Sequence, residues 1–188
     1  MRFRTLAVLL AAGLGAGCVQ TSVVGLPDYN ALYSRDMVSY AGTSGEIAAV
    51  VMGNPFGPSV SDEQLMSSIP TPAWVSARRF TTNPGSQTPW SYRVVLLFNP
   101  ARPGAGDDYT CANPAAEPTG AARGDGRARL VAVFCADSRW ASQLEGSVPL
   151  DGGPGSPAFR TAMQTVMADL LPPINPKVDR GDNAIRVN

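Results

Sequence analysis

The apolar residues of this chain fall into blocks whose spacing changes from one element to the next. The run GEIAAVVMGNPFG, from Gly45, is apolar without alternation and ends on Gly-Asn-Pro. That is the pattern of a strand buried on both faces, placed over residues 46–52. PSVSDEQLMSSIP then predicts a helix from Asp62 to about Ser68. Ser61 can cap its first turn, Gln64 completes a capping box, and Val60 with Leu65 fits a hydrophobic staple. Asp62 and Glu63 stand at the positive end of that helix's dipole, which gives their carboxylates a structural explanation.

WVSARRFTT and WSYRVVLLFNP read as two strands flanking the polar turn NPGSQTP. In the second, Tyr92, Val94, Leu96 and Phe98 share one face while Val95 and Leu97 share the other, so it is expected to be central. ARLVAVFCAD, from Ala128 to Asp137, has the same two-sided character and is expected beside it. The stretch between them is rich in Pro, Gly and Ala and too poor in apolar residues for a second core. It reads as an exposed loop pinned at Cys111.

A further strand is expected at Gly146–Leu150. The clearest helix follows in SPAFRTAMQTVMADLLPP, with Ser156 as cap and Pro157 as first helical residue. Phe159, Ala162, Met163, Val166, Met167, Leu170 and Leu171 recur at helical spacing before Pro172-Pro173 ends it. Near the start, Tyr29, Leu32, Tyr33 and Met37 suit one short amphipathic turn of helix. The order lacks the regular strand–helix alternation of a doubly wound sheet. The expected fold is α+β: a small, largely antiparallel sheet with the C-terminal amphipathic helix packed on one face.

The first residues are not part of that pattern. Arg2 and Arg4, the apolar stretch Leu6–Leu14 and the small residues before Cys18 form a secretory signal. The apolar run is too short for a stable membrane span, which takes roughly 20 residues. Leu14-Gly15-Ala16-Gly17-Cys18 resembles the lipobox of bacterial lipoproteins, with Gly15 standing where that family usually has an aliphatic residue. The resemblance implies diacylglycerol transfer to the Cys18 thiol, cleavage before Cys18 and acylation of the new amino terminus. In similar lipoproteins the next residue sorts the protein, and Val19 favours the outer membrane. The expected organisation is a signal peptide over 1–17, a lipidated terminus and tether over 18–42, one domain over 43–173 and a flexible tail over 174–188.

With Cys18 assigned to lipid, Cys111 and Cys135 remain as a pair in a chain bound for an oxidising compartment. A disulfide between them closes a loop worth roughly 3–4 kcal/mol in the chain-entropy model. Cys111 and Cys135 are therefore expected to be joined.

Composition narrows the chemistry mainly by exclusion. Lys+Arg number 15 and Asp+Glu 15, and removing Arg2 and Arg4 with the signal leaves 13 minus 15, a net charge of −2. A surface binding many phosphates is not built from that balance, so no nucleic-acid partner is expected. Histidine is absent and Lys177 is the single lysine. Imidazole-activated nucleophiles and His-ligated metals are thereby excluded. No metal and no cofactor is expected, and no catalytic residue is assigned. Asp107-Asp108, Asp125, Asp137 and Asp151 sit beside glycines or at strand ends, where turn formation explains them. Of the aromatic residues, Trp90 and Tyr92 stand out as a candidate ligand surface beside a polar turn. Arg180-Gly181-Asp182 matches the integrin tripeptide, a three-residue match that carries no weight.

The expected function is a non-catalytic binding or envelope-assembly role, on the periplasmic face of the outer membrane. Its partners are then the membrane, through the N-terminal lipid, and an envelope protein. Two other classes make sharper structural demands. A carboxylate-dependent hydrolase of envelope glycan needs two Asp or Glu side chains facing one cleft. A lipid or small-ligand carrier needs an apolar cavity between helix and sheet.

Overall fold

Local sequence chemistry accounts for each helix. The computed structural model describes residues 26–121 and 124–178. In chain order these form β1 (Asp28–Tyr29), α1 (Arg35–Ala41), β2 (Glu46–Met52), α2 (Asp62–Ser67), β3 (Arg79–Thr81), β4 (Tyr92–Phe98), α3 (Asp108–Ala112), β5 (Arg127–Ala136), β6 (Arg139–Pro149) and α4 (Pro157–Leu170). The Ser34 hydroxyl accepts from the Met37 amide to start α1. In α2 the Ser61 hydroxyl accepts from the Gln64 amide while the Gln64 side chain accepts from the Ser61 amide, a complete capping box. Ser156 caps α4 through the Phe159 amide, and Pro157 occupies the first turn, where its missing N–H leaves no bond unmade.

The six strands form one sheet in the order β1-β6-β5-β4-β2-β3. The fold is α+β, and the sheet is mixed rather than largely antiparallel. β4, β5, β6 and β1 are antiparallel neighbours, whereas β2 runs parallel to both β4 and β3. The expected pairing of the strands flanking NPGSQTP does not form. β3 is three residues long and pairs with the start of β2, Glu46↔Arg79 to Ala48↔Thr81, while β4 takes the other edge of β2. β2 and β4 are both two-sided apolar strands, and setting them side by side lets each bury its backbone groups in ladders. The connection between β3 and β4 passes the entry of β2, where the Gly85 amide donates to Glu46 and Ser44 bonds Thr88.

β5 and β6 form a long hairpin in register from Arg127↔Pro149 to Ala136↔Arg139, with a bulge at Phe134/Cys135. β6 therefore begins at Arg139, well before the expected Gly146. Asp137 sits in the tight turn at φ 55, a conformation aspartate tolerates better than bulkier residues. Packed residues begin ahead of the expected domain start: Tyr29, Tyr33, Val38 and Ala41 all belong to the main core.

The sheet buries both faces, in different ways. On one, Val94, Leu96 and Phe98 of β4 and Leu130, Ala132 and Phe134 of β5 meet α1, α2 and the inward side of α4. Phe159, Ala162, Met163, Val166, Met167 and Leu170 are all fully buried there, as the helical spacing predicts. On the other, Val95, Leu97, Val131 and Val133 lie under a single chain segment. This segment, residues 101–121, is the expected exposed loop, and it is a cover instead. It carries α3, buries Ala105 and Cys111, and presses Gly106 against β5. A Cβ at Gly106 would stand 2.9 Å from Val131 Cγ1, and its φ of +108 also favours glycine.

Candidate functional site

Three fasteners hold the cover segment. The first is covalent: Cys111 in α3 is disulfide-bonded to Cys135 in β5, across 24 residues of sequence. The second is an ionic clamp around Arg102. Its guanidinium donates to Asp107 and to Glu117, at 2.8 and 2.6 Å for the closest contacts. The Thr110 hydroxyl also donates to Glu117, and Asp107 caps α3 through the Thr110 amide. The hydrogen bonds from Arg102 hold both carboxyls below the usual range, and the Arg102 guanidinium is correspondingly raised, first by Glu117. The third is Arg93 on β4, which donates to the Cys111 and Trp90 carbonyls and lies 5.6 Å from the Trp90 ring centroid. Burial lowers the Arg93 pKa, opposed by the charge of Asp137.

This geometry separates the aromatic pair proposed from sequence. Trp90, half exposed, stacks with Arg93, whose neighbours on β4 face the cover segment. Tyr92 packs against the opposite core and meets Tyr40 edge to face at 5.5 Å. Trp90 stands before the first residue of β4, so strand alternation does not hold it to the face of Tyr92; it lies instead against Arg93, whose side chain leaves β4 on the face opposite Tyr92.

The acidic residues are absorbed by local structure. Asp107 is a cap and clamp, and Asp108 accepts from the Trp140 amide. Asp125 accepts from the Arg127 amide in an Asx turn, and Asp137 forms the β5–β6 turn. Glu63 accepts from the Thr82 amide and from both threonine hydroxyls beside it. Burial alone would raise the Glu63 pKa, but these bonds and the Arg79 charge outweigh it and hold the carboxyl low. Among the described residues no group of three or more His, Cys, Asp or Glu side chains is placed to hold a metal.

A different surface emerges at the edge where the chain enters the domain. β1 pairs with β6 through Asp28↔Gln143 and Tyr29↔Ser142. A groove of about 360 Å³ lies on one side of this entry, between Leu26, Asp28, Gly104, Asp107, Leu144 and Glu145. On the other side a groove of about 420 Å³ is lined by Leu26, Pro27, Asp28, Tyr29, Pro176 and Lys177. The two ends of the described chain are laced together here. Asn175 donates to the Asn30 and Tyr33 carbonyls, and Lys177 reaches Asp28 at 3.5 Å. The Tyr29 and Tyr33 hydroxyls donate to the carbonyls of Asp169 and Pro172 at the end of α4. Burial, then the nearby Asp169 charge, pushes the Tyr29 phenol up to about 12, so it remains a donor at all physiological pH. The start of the expected flexible tail is thus docked, with Asn175 buried. Nothing in the sequence marks this edge beyond the tyrosines and the asparagine, because exposure at a sheet margin is decided by tertiary pairing.

No family model, no curated protein and no solved structure matches this chain. Cys18, the signal segment and the Arg180-Gly181-Asp182 triplet lie outside the described residues. Among the described residues no helix is long and apolar enough to cross a membrane.

Proposed function

We propose that this chain is a lipid-anchored envelope protein. Acylated Cys18 holds the domain to the periplasmic face of the outer membrane, where it serves a non-catalytic binding or assembly role. The Cys111–Cys135 disulfide is the observation that carries the reading. It belongs to an oxidising compartment, the same compartment the signal and lipobox pattern point to. Two acyl groups at one terminus make a firm anchor where a single chain binds only marginally.

The arrangement of carboxylates favours this over hydrolysis. The carboxylates lining the entry groove are each paired with a cation, Asp28 with Lys177, Asp107 with Arg102 and Glu145 with Arg129, and Arg102 holds Asp107 below the usual carboxylate range, away from the raised pKa a general acid needs. The inward side chains of α4 are fully buried against the sheet, where a carrier would open its cavity.

Metabolic labelling with a radioactive fatty acid tests the anchor. The protein takes up label and fractionates with outer membranes, and Cys18→Ser abolishes the label and leaves the precursor unprocessed. Undiminished labelling of Cys18→Ser would sink the reading. Cross-linking in intact envelopes then tests the assembly role, with one stoichiometric partner expected.

A further inference from the structure

The exposed large apolar side chains of the domain divide into two kinds. Three are aromatic, and each has a partner within the protein: Tyr40 on Tyr92, Trp90 on Arg93 and Tyr109 on Arg102. Four are aliphatic: Leu26 at 93% exposure, Ile174 at 61%, Val178 at 44% and Leu32 at 39%. All four lie on the two segments that Asn175, Lys177, Tyr29 and Tyr33 lace together at the entry edge. Exposed aliphatic residues scattered singly need no explanation; these four all stand on two segments that are bonded to each other.

We propose that this edge rests on the lipid bilayer, with Leu26 and Ile174 entering the headgroup region. The inference deepens the anchored reading and rests on it. Residues 19–26 link the anchor cysteine to the patch, a reach of about 26–29 Å at full extension, at 3.3–3.6 Å per residue. A tether that short keeps the edge at high effective concentration at the surface to which the lipid is fixed, so weak affinity suffices for contact. Lys177 and Asp28 neutralise each other within the patch, which removes an isolated charge from the approach to lipid. The contact fixes one orientation of the domain and turns β3, at the far margin of the sheet, away from the entry edge.

The test is hydroxyl-radical footprinting of the chain from residue 18 onward, free in solution or coupled through the Cys18 thiol to a maleimide lipid in phosphatidylethanolamine–phosphatidylglycerol vesicles. Cys111 and Cys135 are occupied by their disulfide, so coupling is confined to Cys18. Labelling of Leu26 and Ile174 relative to Trp90 is expected to fall about threefold on vesicles, as side chains enter the interface. A Leu26→Ser/Ile174→Ser/Val178→Ser chain serves as control. These exposed substitutions leave the fold intact, and the retained Leu32 then reports the loss of contact, its label on vesicles rising toward the value free in solution. Unchanged Leu26 and Ile174 labelling on coupled vesicles overturns the proposal while leaving acylation standing. A fall in labelling without acylation of the native protein overturns the anchor alone.

Discussion

The two faces of the sheet are closed by different physics. One carries α1, α2 and α4 over a continuous apolar core, with many side chains each contributing a modest share. The other carries one segment with few apolar contacts, held by a disulfide, the Arg102 clamp and Arg93. Distributed burial tolerates the loss of any single bond but resists the loss of volume. A cover held at a few points is the reverse: each fastener matters much.

The sharpest way to break this contrast is to attack each face by its own means. Phe159→Ala on the helical face is expected to cost about 3–5 kcal/mol, because a fully buried ring leaves a cavity the sheet cannot close. Denaturant unfolding measures it, and a loss under about 1 kcal/mol would mean that face is loosely packed. Reducing the Cys111–Cys135 bond, or Cys135→Ser with Cys111→Ser, is expected to cost roughly 3–4 kcal/mol. Hydrogen exchange should show residues 101–121 opening first, while α4 keeps its protection. Equal acceleration on both faces would erase the distinction.

Glu117→Gln comes next, at about 1–3 kcal/mol near neutral pH, because it leaves Arg102 and Thr110 facing a weaker acceptor. Both clamp carboxyls have folded pKa values below their ordinary ones. Their contribution is therefore present above the ordinary carboxylate range and lost as pH falls through the depressed folded values. The gap between wild type and Glu117→Gln should close as the pH is taken below the ordinary carboxylate range of roughly 3.9–4.3. A gap that persists in acid would show that the clamp acts by packing rather than charge. Smallest is Ser61→Ala at the start of α2, at about 1 kcal/mol for a lost cap. Thermal unfolding should register it as a shift of a few degrees, without change in the exchange of the cover.

The same contrast explains what could be read from sequence. Elements on the helical face announce themselves, because burial against a sheet imposes a period: β2, β4, β5, α2 and α4 all fall where apolar spacing and caps place them. The cover has no period, and its stabilising residues are charged or covalent, so nothing in the spacing of Arg102, Thr110 and Glu117 sets them apart from an exposed loop. Cysteine parity alone betrayed it, through Cys111 and Cys135. Strand order was hidden for a related reason. The three-residue β3 leaves the choice between β2 and β4 to long-range pairing, which no local pattern encodes. At the candidate site, Trp90 and Tyr92 drew notice by residue type, whereas Leu26 and Ile174 became visible only once the fold left them uncovered.

The lacing of the chain ends also has a mechanical side. A pull delivered at Leu26 would load the two-residue β1 ladder, which by itself would peel one pair at a time. The Tyr29 and Tyr33 hydroxyls and the Asn175 amide carry that load onto the end of α4 and the segment after it. Tension at the terminus is thereby shared with α4, so the domain meets force at its entry point as a rivet rather than as a zipper.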